Sequence, residues 1–224
     1  MISPGLATPD LADCVVAQRA ITADQSVWED VDSRQSLYLV ESGIAFRFTY
    51  LANGKRHIDD FYGPGSICNW SRLKNDEYIC NITFKAGARF TLLDPGRTAE
   101  TLRQNPHTHS VLNQIEMARA LRVSQRVRAL ISLPASHRIA IFLLDLKEEY
   151  RLSGIEDEWT PLALTQDEIA DVTGMTVVHV NRTLAKMEQA DELERAHGSF
   201  RLTSTKRLEA QLGYRRFVPK RGER

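Results

Sequence analysis

Cysteine is scarce in this 224-residue chain, with three in all. Cys14, Cys68 and Cys80 are widely separated and odd in number, and no C-x-x-C pair exists. A zinc ribbon, a thioredoxin-like motif and a disulfide framework are therefore disfavoured. Long apolar runs are also missing. No stretch of about 18 apolar residues occurs, so no membrane-spanning helix is expected. The opening segment MISPGLATPDLADCVV lacks the basic region and apolar core of a signal peptide, and a cytoplasmic location is expected. Nor is there a surplus of charge, because 29 Lys and Arg balance 29 Asp and Glu. Neutrality does not exclude nucleic acid, since only the contacting face has to be basic. The charge is unevenly placed. Residues 1–97 carry 10 basic and 12 acidic groups, whereas residues 161–224 carry 11 and 9. The last ten residues, RRFVPKRGER, hold five Arg or Lys against one Glu. That polarity favours a C-terminal nucleic-acid surface, although a merely solvated basic tail has the same composition.

What the chain does contain falls into three patterns, predicting domains at 1–106, 107–133 and 134–224. Between residues 36 and 94 short apolar strands alternate with turns. Strands are expected at 37–40, 44–50, 55–61, 78–84 and 89–93, with Asn53-Gly54 as a hairpin turn and Gly63-Pro64-Gly65 as another. Strands this short and evenly spaced suggest a small jelly-roll or barrel. After the break at Asp94-Pro95-Gly96 the pattern turns helical. Residues 107–131 contain no Gly or Pro and would span about 37 Å as a helix, with Pro106 suited to its first position. Val111, Ile115, Ala118 and Leu121 make an apolar stripe flanked by Arg119, Arg122 and Arg126. Such a stripe suits pairing with an identical helix, and it equally suits packing on its own domain. Leu133-Pro134-Ala135-Ser136 reads as a hinge, and residues 138–150 as a strongly apolar second helix.

The segment TQDEIADVTGMTVVHVNRTLAKM, residues 165–187, carries the most specific signal. Thr165 followed by Glu168 is a capping box. Ile169 and Val172 give the first helix an apolar face, and Ala170 is small enough for a second helix to cross closely. Gly174 falls at the corner between helices, and Thr176 can cap the second helix. Val180, Leu184 and Met187 then share an inward face. Val177, Val178, His179, Asn181 and Arg182 are left on the outer surface, which a recognition helix presents to a major groove. Residues 193–202, LERAHGSFRL, read as a hairpin beside it, forming a wing.

These residues resemble the DNA-binding domain of the cyclic-AMP receptor and fumarate–nitrate regulator (CRP/FNR) family of bacterial transcription regulators. The likeness extends in order from about residue 26 to 202: a β-roll with its Ser42-Gly43 turn, a long helix, the helix RIAIFLLDL, and the winged helix-turn-helix. The resemblance implies an α+β fold. It has an N-terminal cupin-like β-roll of the cyclic-nucleotide-binding type, a long dimerisation helix and a C-terminal winged helix-turn-helix. It also implies a homodimer joined through Val111, Ile115, Ala118 and Leu121, double-stranded DNA and RNA polymerase as partners, and no catalytic residues. The expected DNA-contacting set is Thr176, Val177, Val178, His179, Asn181, Arg182 and Arg201. Arg182 matches the family's guanine-reading arginine, and a guanidinium fork can donate to both O6 and N7 of guanine. The family's Glu four residues earlier is replaced by Val178, so carboxylate readout of a cytosine amino group is lost and contact with thymine methyls becomes available. Arg201, in the wing, is expected on phosphate.

The sensory half departs from the family's cyclic-nucleotide pattern. Trp70 stands where a ribose-binding Glu belongs, and Tyr78-Ile79 where an Arg-Ser pair would hold phosphate. Trp70 and Tyr78 are thus candidate lining residues of an altered effector pocket whose ligand is unknown, and no cofactor is expected. A haem-sensing regulator using His57 or Cys68 is an alternative, as is a cupin-like enzyme, although only His57 falls within the expected strands. His107-Thr108-His109 lies at a helix start without a suitable carboxylate, and no metal site is expected there.

Overall fold

The computed structural model describes residues 11–26, 36–70 and 81–218. These form two compact units, one ending at Asn113 and the other beginning at Gln114. The first unit opens with a short 3-10 turn, Ala12–Cys14, followed by eight strands. They are β1 (Val15–Ala20), β2 (Gln25–Ser26), β3 (Leu37–Ser42), β4 (Ala45–Tyr50), β5 (Arg56–Tyr62), β6 (Ile67–Cys68), β7 (Asn81–Phe84) and β8 (Arg89–Leu93). They make two antiparallel sheets of four strands, ordered β1-β8-β3-β6 and β2-β7-β4-β5. Both sheets contribute to one core, with Tyr38, Val40, Cys68 and Phe90 from the first meeting Ala45, Tyr62, Ile82 and Phe84 from the second. Phe84 stacks on Phe90 at 4.1 Å between ring centroids, and Tyr38 packs against both. The predicted turn at Asn53-Gly54 joins β4 to β5, with the Gly54 amide donating to the Leu51 carbonyl at 2.8 Å.

Helix α1 (Pro95–Gln104) follows. Asp94 caps it, its carboxylate accepting from the Arg97 amide at 2.7 Å, while Pro95 occupies a position where a missing amide costs nothing. Helix α2 (Pro106–Ser132) begins on a proline as expected, with Asn105 Oδ1 accepting from the Thr108 amide at 3.0 Å.

The division between units falls inside α2, at Asn113/Gln114, whereas the sequence suggested breaks on either side of the helix. The C-terminal part of α2 belongs to the second unit, where buried charges tie it to α3 (Ala135–Leu152). Arg122 pairs with Glu149, and Arg126 Nη1 lies 2.8 Å from Asp145 Oδ2. These four side chains are all at most 7 % exposed, so the pairs exist in an apolar setting where a charge deprived of its partner is costly. After α3 come β9 (Thr160–Pro161), α4 (Gln166–Thr173), α5 (Val177–Gln189), β10 (Leu193–Ala196), β11 (Ser199–Leu202) and α6 (Thr205–Leu212). The three strands form a small antiparallel sheet, β10-β11-β9.

Candidate nucleic-acid interface

Local chemistry sets the two helices that carry the site. Thr165 Oγ1 accepts from the Glu168 amide at 3.2 Å, and Glu168 Oε2 accepts from the Thr165 amide at 2.7 Å. This reciprocal box satisfies two amides that a helix start otherwise leaves unpaired. α4 ends at Gly174, whose φ of +65° is left-handed and would strain a side-chain-bearing residue. Thr176 then caps α5, its hydroxyl accepting from the His179 amide at 3.3 Å. Ile169, Ala170 and Val172 of α4 and Val180, Leu184 and Met187 of α5 are buried, so the crossing of the two helices is held by the residues expected.

The opposite face of α5 is open. Val178 is 68 % exposed. Thr176, His179, Asn181 and Arg182 are also exposed, and Val177 is half-buried. Arg182 forms no ion pair with any described residue. Lys186, one turn beyond Arg182, is exposed as well. It was missed at the sequence level, though the four-residue spacing from Arg182 places it on the same helix face. An exposed helix face with two cations, an amide and an apolar knob can reach both phosphates and base edges.

β10 and β11 pair from Leu193↔Leu202 to Ala196↔Ser199 around His197 and Gly198, as predicted. Arg201 is engaged within the chain. Its Nη2 donates to both carboxylate oxygens of Glu194 at 2.6 Å, its Nη1 donates to Glu158, and its guanidinium lies 5.4 Å from the centre of the Trp159 ring. The bonds from Glu194 and Glu158 raise its pKa further. Arg195 is likewise committed, making two bonds of 2.8 Å to Glu188 at the end of α5. The wing arginines are therefore engaged within the chain, and the exposed cations of α5 and α6 are Arg182, Lys186, Lys206 and Arg207.

The stripe expected to join two chains is largely packed within one. Val111, Ile115 and Ala118 are buried within a single chain, Ala118 completely, and Leu121 is half-buried. Arg119, Arg122 and Arg126 are buried too instead of flanking an open seam. The apolar side chains that α2 leaves exposed are Met117 at 62 %, Val127 at 48 % and Ile131 at 79 %. With half-buried Leu121 they lie on a broad face of the helix distinct from that of Val111, Ile115 and Ala118.

In the first unit Trp70 is half-buried after β6, while Tyr78 lies outside the described residues. His57 is half-buried in β5 and Cys68 is fully buried in β6. His107 and His109 are exposed at the start of α2. Among the described residues no group of three or more His, Cys, Asp or Glu is placed to hold a metal ion, and no helix is long and apolar enough to cross a membrane.

Residues 137–211 match the family model of the Crp-like helix-turn-helix domain. The chain is 25 % identical over 191 residues to the nitrogen fixation regulation protein FixK of Bradyrhizobium diazoefficiens, covering 84 % of this chain and 79 % of that one. It is 25 % identical over 210 residues to the transcriptional activator protein Anr of Pseudomonas protegens, covering 88 % and 81 %. Among solved structures, FixK2 from Bradyrhizobium japonicum superposes with a TM-score of 0.71 at 16 % identity, over 88 % of this chain and 96 % of that one.

Proposed function

We propose that the chain, which matches the Crp-like helix-turn-helix domain over residues 137–211, is a transcription regulator of the CRP/FNR family that acts on DNA as a homodimer at a near-palindromic operator. Each α5 enters a major groove, and the two half-sites lie one helical turn apart, about 34 Å, because the protein two-fold is mirrored in the DNA. The observation that carries this reading is the division of α5 into a buried face, Val180, Leu184 and Met187, and an exposed face, Val178, His179, Asn181 and Arg182.

Within each half-site Arg182 reads a guanine through a two-fold donation to O6 and N7. Asn181 bonds adenine. Val178 offers methyl groups where a carboxylate would seek cytosine, so thymine is favoured opposite it. Lys186 contacts phosphate. The dimer forms along the exposed stripe of α2. The ligand of the β-roll differs from a cyclic nucleotide, since Trp70 supplies no carboxylate for ribose. RNA polymerase is the partner through which the bound dimer acts on transcription, and the protein carries out no catalysis.

Site selection from a random library, run on the wild type and on Arg182→Ala, tests the reading. Arg182→Ala is expected to weaken the selected operator by about 1–3 kcal/mol and to relax preference at one base pair in each half-site. A uniform loss of affinity with an unchanged preferred sequence would make Arg182 a backbone contact and would refute this placement of α5.

A further inference from the structure

Residues 213–218, after α6, form no helix or strand, yet their backbone is held at several points by side chains of two other helices. α6 ends at Gly213, where a φ of +60° turns the chain back. Arg128 of α2 donates to the carbonyls of Leu212 and Gly213 at 2.9 and 3.3 Å, satisfying carbonyls that a helix end leaves open. Gln125 of α2 grips both main-chain polar groups of Arg215. The Arg215 amide donates to Gln125 Oε1 at 2.6 Å, and Gln125 Nε2 donates to the Arg215 carbonyl at 3.1 Å. From α3, Arg151 donates to the Phe217 carbonyl at 3.0 Å. Tyr214 is 7 % exposed, and its hydroxyl donates to Asp145 Oδ1 at 2.8 Å. The other oxygen of that carboxylate accepts from Arg126 of α2.

The positions of these contacts matter more than their number. Gln125 and Arg128 lie before the corner at Leu133-Pro134, and Asp145 and Arg151 lie after it. A helix-to-helix corner at a proline has no backbone ladder running through it, because proline lacks the amide. Its angle must therefore be set by contacts that bridge the two helices. The ion pairs Arg122–Glu149 and Arg126–Asp145 do this directly, and residues 213–218 do it through a third segment bound to both.

We propose that residues 213–218 are a strap that locks the corner between α2 and α3. With the strap in place, the C-terminal half of α2 and the winged helix-turn-helix move as one body. A displacement of α2 then reaches α5 without being lost in bending at Pro134. The strap is a conformational device, and its link to regulation rests on the proposed reading of α5 as the DNA-contacting helix.

Two variants of the full-length protein test the strap: a stop after Leu212, and the double substitution Gln125→Ala with Tyr214→Phe. Hydrogen–deuterium exchange is read without DNA, followed by titration with the selected operator. Amides across 128–138 are expected to exchange at least about ten-fold faster in both variants, with α4, α5 and the β-roll strands unchanged. Operator affinity is expected to fall several-fold, because the corner must then be ordered on binding. If the truncated chain does not fold, the double variant decides. Unchanged exchange at 128–138 would overturn the proposal. So would a loss of protection spread equally over α4 and α5, which would make residues 213–218 an ordinary part of the domain core. Should the wild type select no operator at all, the DNA reading fails while the exchange data still judge the strap.

Discussion

Arg201 occupies a strand of the wing, where a cation would meet the DNA backbone, but its charge is already engaged by Glu194, Glu158 and the Trp159 ring. Lys186 has no such commitment and stands on the same exposed face as Arg182. Phosphate contacts reveal themselves through salt, because each one releases counterions. Lys186→Ala is therefore expected to lower affinity for all sequences alike and to reduce the log–log salt slope by about one. Arg201→Ala is expected to leave that slope unchanged and to speed amide exchange in β10 and β11. Titrations between 50 and 200 mM salt, roughly the range in which counterion release dominates, compare the two directly. A flattened slope in the Arg201 variant would restore it as a phosphate contact. The predicted hairpin itself sets Glu194 of the segment LERAHGSFRL opposite Arg201, so that partner was legible in the sequence, whereas Glu158 comes from a loop some 40 residues earlier.

Helix α2 shows how a periodicity can be right and its use misassigned. Val111, Ile115, Ala118 and Leu121 do recur at helical spacing, and three of the four are buried as an apolar stripe should be. Spacing identifies residues that share a face, but not what covers the face. The same helix carries a second apolar face of exposed Met117, Val127 and Ile131 with half-buried Leu121. Ala120 and Ser124, both small and exposed, lie between them and let a second helix approach closely. A charge on this outer stripe should abolish pairing without harming the fold. Leu121→Glu combined with Val127→Glu is expected to sediment as a monomer at micromolar concentration with an unchanged helical signal. Ala118→Glu is expected instead to lower thermal stability by several kcal/mol, because it buries an unpaired carboxylate in a filled position. A well-folded Ala118→Glu monomer would return the dimer seam to the first stripe.

At the scale of the whole molecule, the second unit is organised around one buried carboxylate. Asp145 is 0 % exposed and touches Arg126 and Tyr214. Burial outweighs its neighbouring cations and pushes its pKa up to about 6, from 3.8. Burial also raises the Tyr214 hydroxyl, helped by the adjacent carboxylate, so Tyr214 remains the donor. A carboxyl with a raised folded-state pKa binds its proton more tightly in the native chain than in the unfolded one. Its contribution to stability is then fully present below about pH 4 and is lost as pH rises through about 6. The advantage of the wild type over Asp145→Asn is accordingly expected to grow by about 1 kcal/mol when pH falls from 7 to 5. Urea unfolding at the two pH values measures it, and an advantage that shrinks on acidification would show that the arginines outweigh burial.

The local features were determined by the chain itself. The capping box at Thr165 and Glu168, the left-handed corner at Gly174, the cap at Thr176 and the hairpin at Asn53-Gly54 all depend on residues within a few positions of one another. Such short-range chemistry is written directly in the order of side chains. The buried and exposed faces of α5 followed from the same cause, because helical geometry repeats over four residues. Tertiary structure alone decided the features that join distant positions. Arg122 and Arg126 find Glu149 and Asp145 about 20 residues or more away, and Gln125 finds Arg215 across 90. A charged residue in a sequence carries no mark of whether it will meet water, phosphate or a carboxylate. That choice is made by which elements pack together, because an arginine is stable in an apolar interior only where the fold brings an acid to meet it.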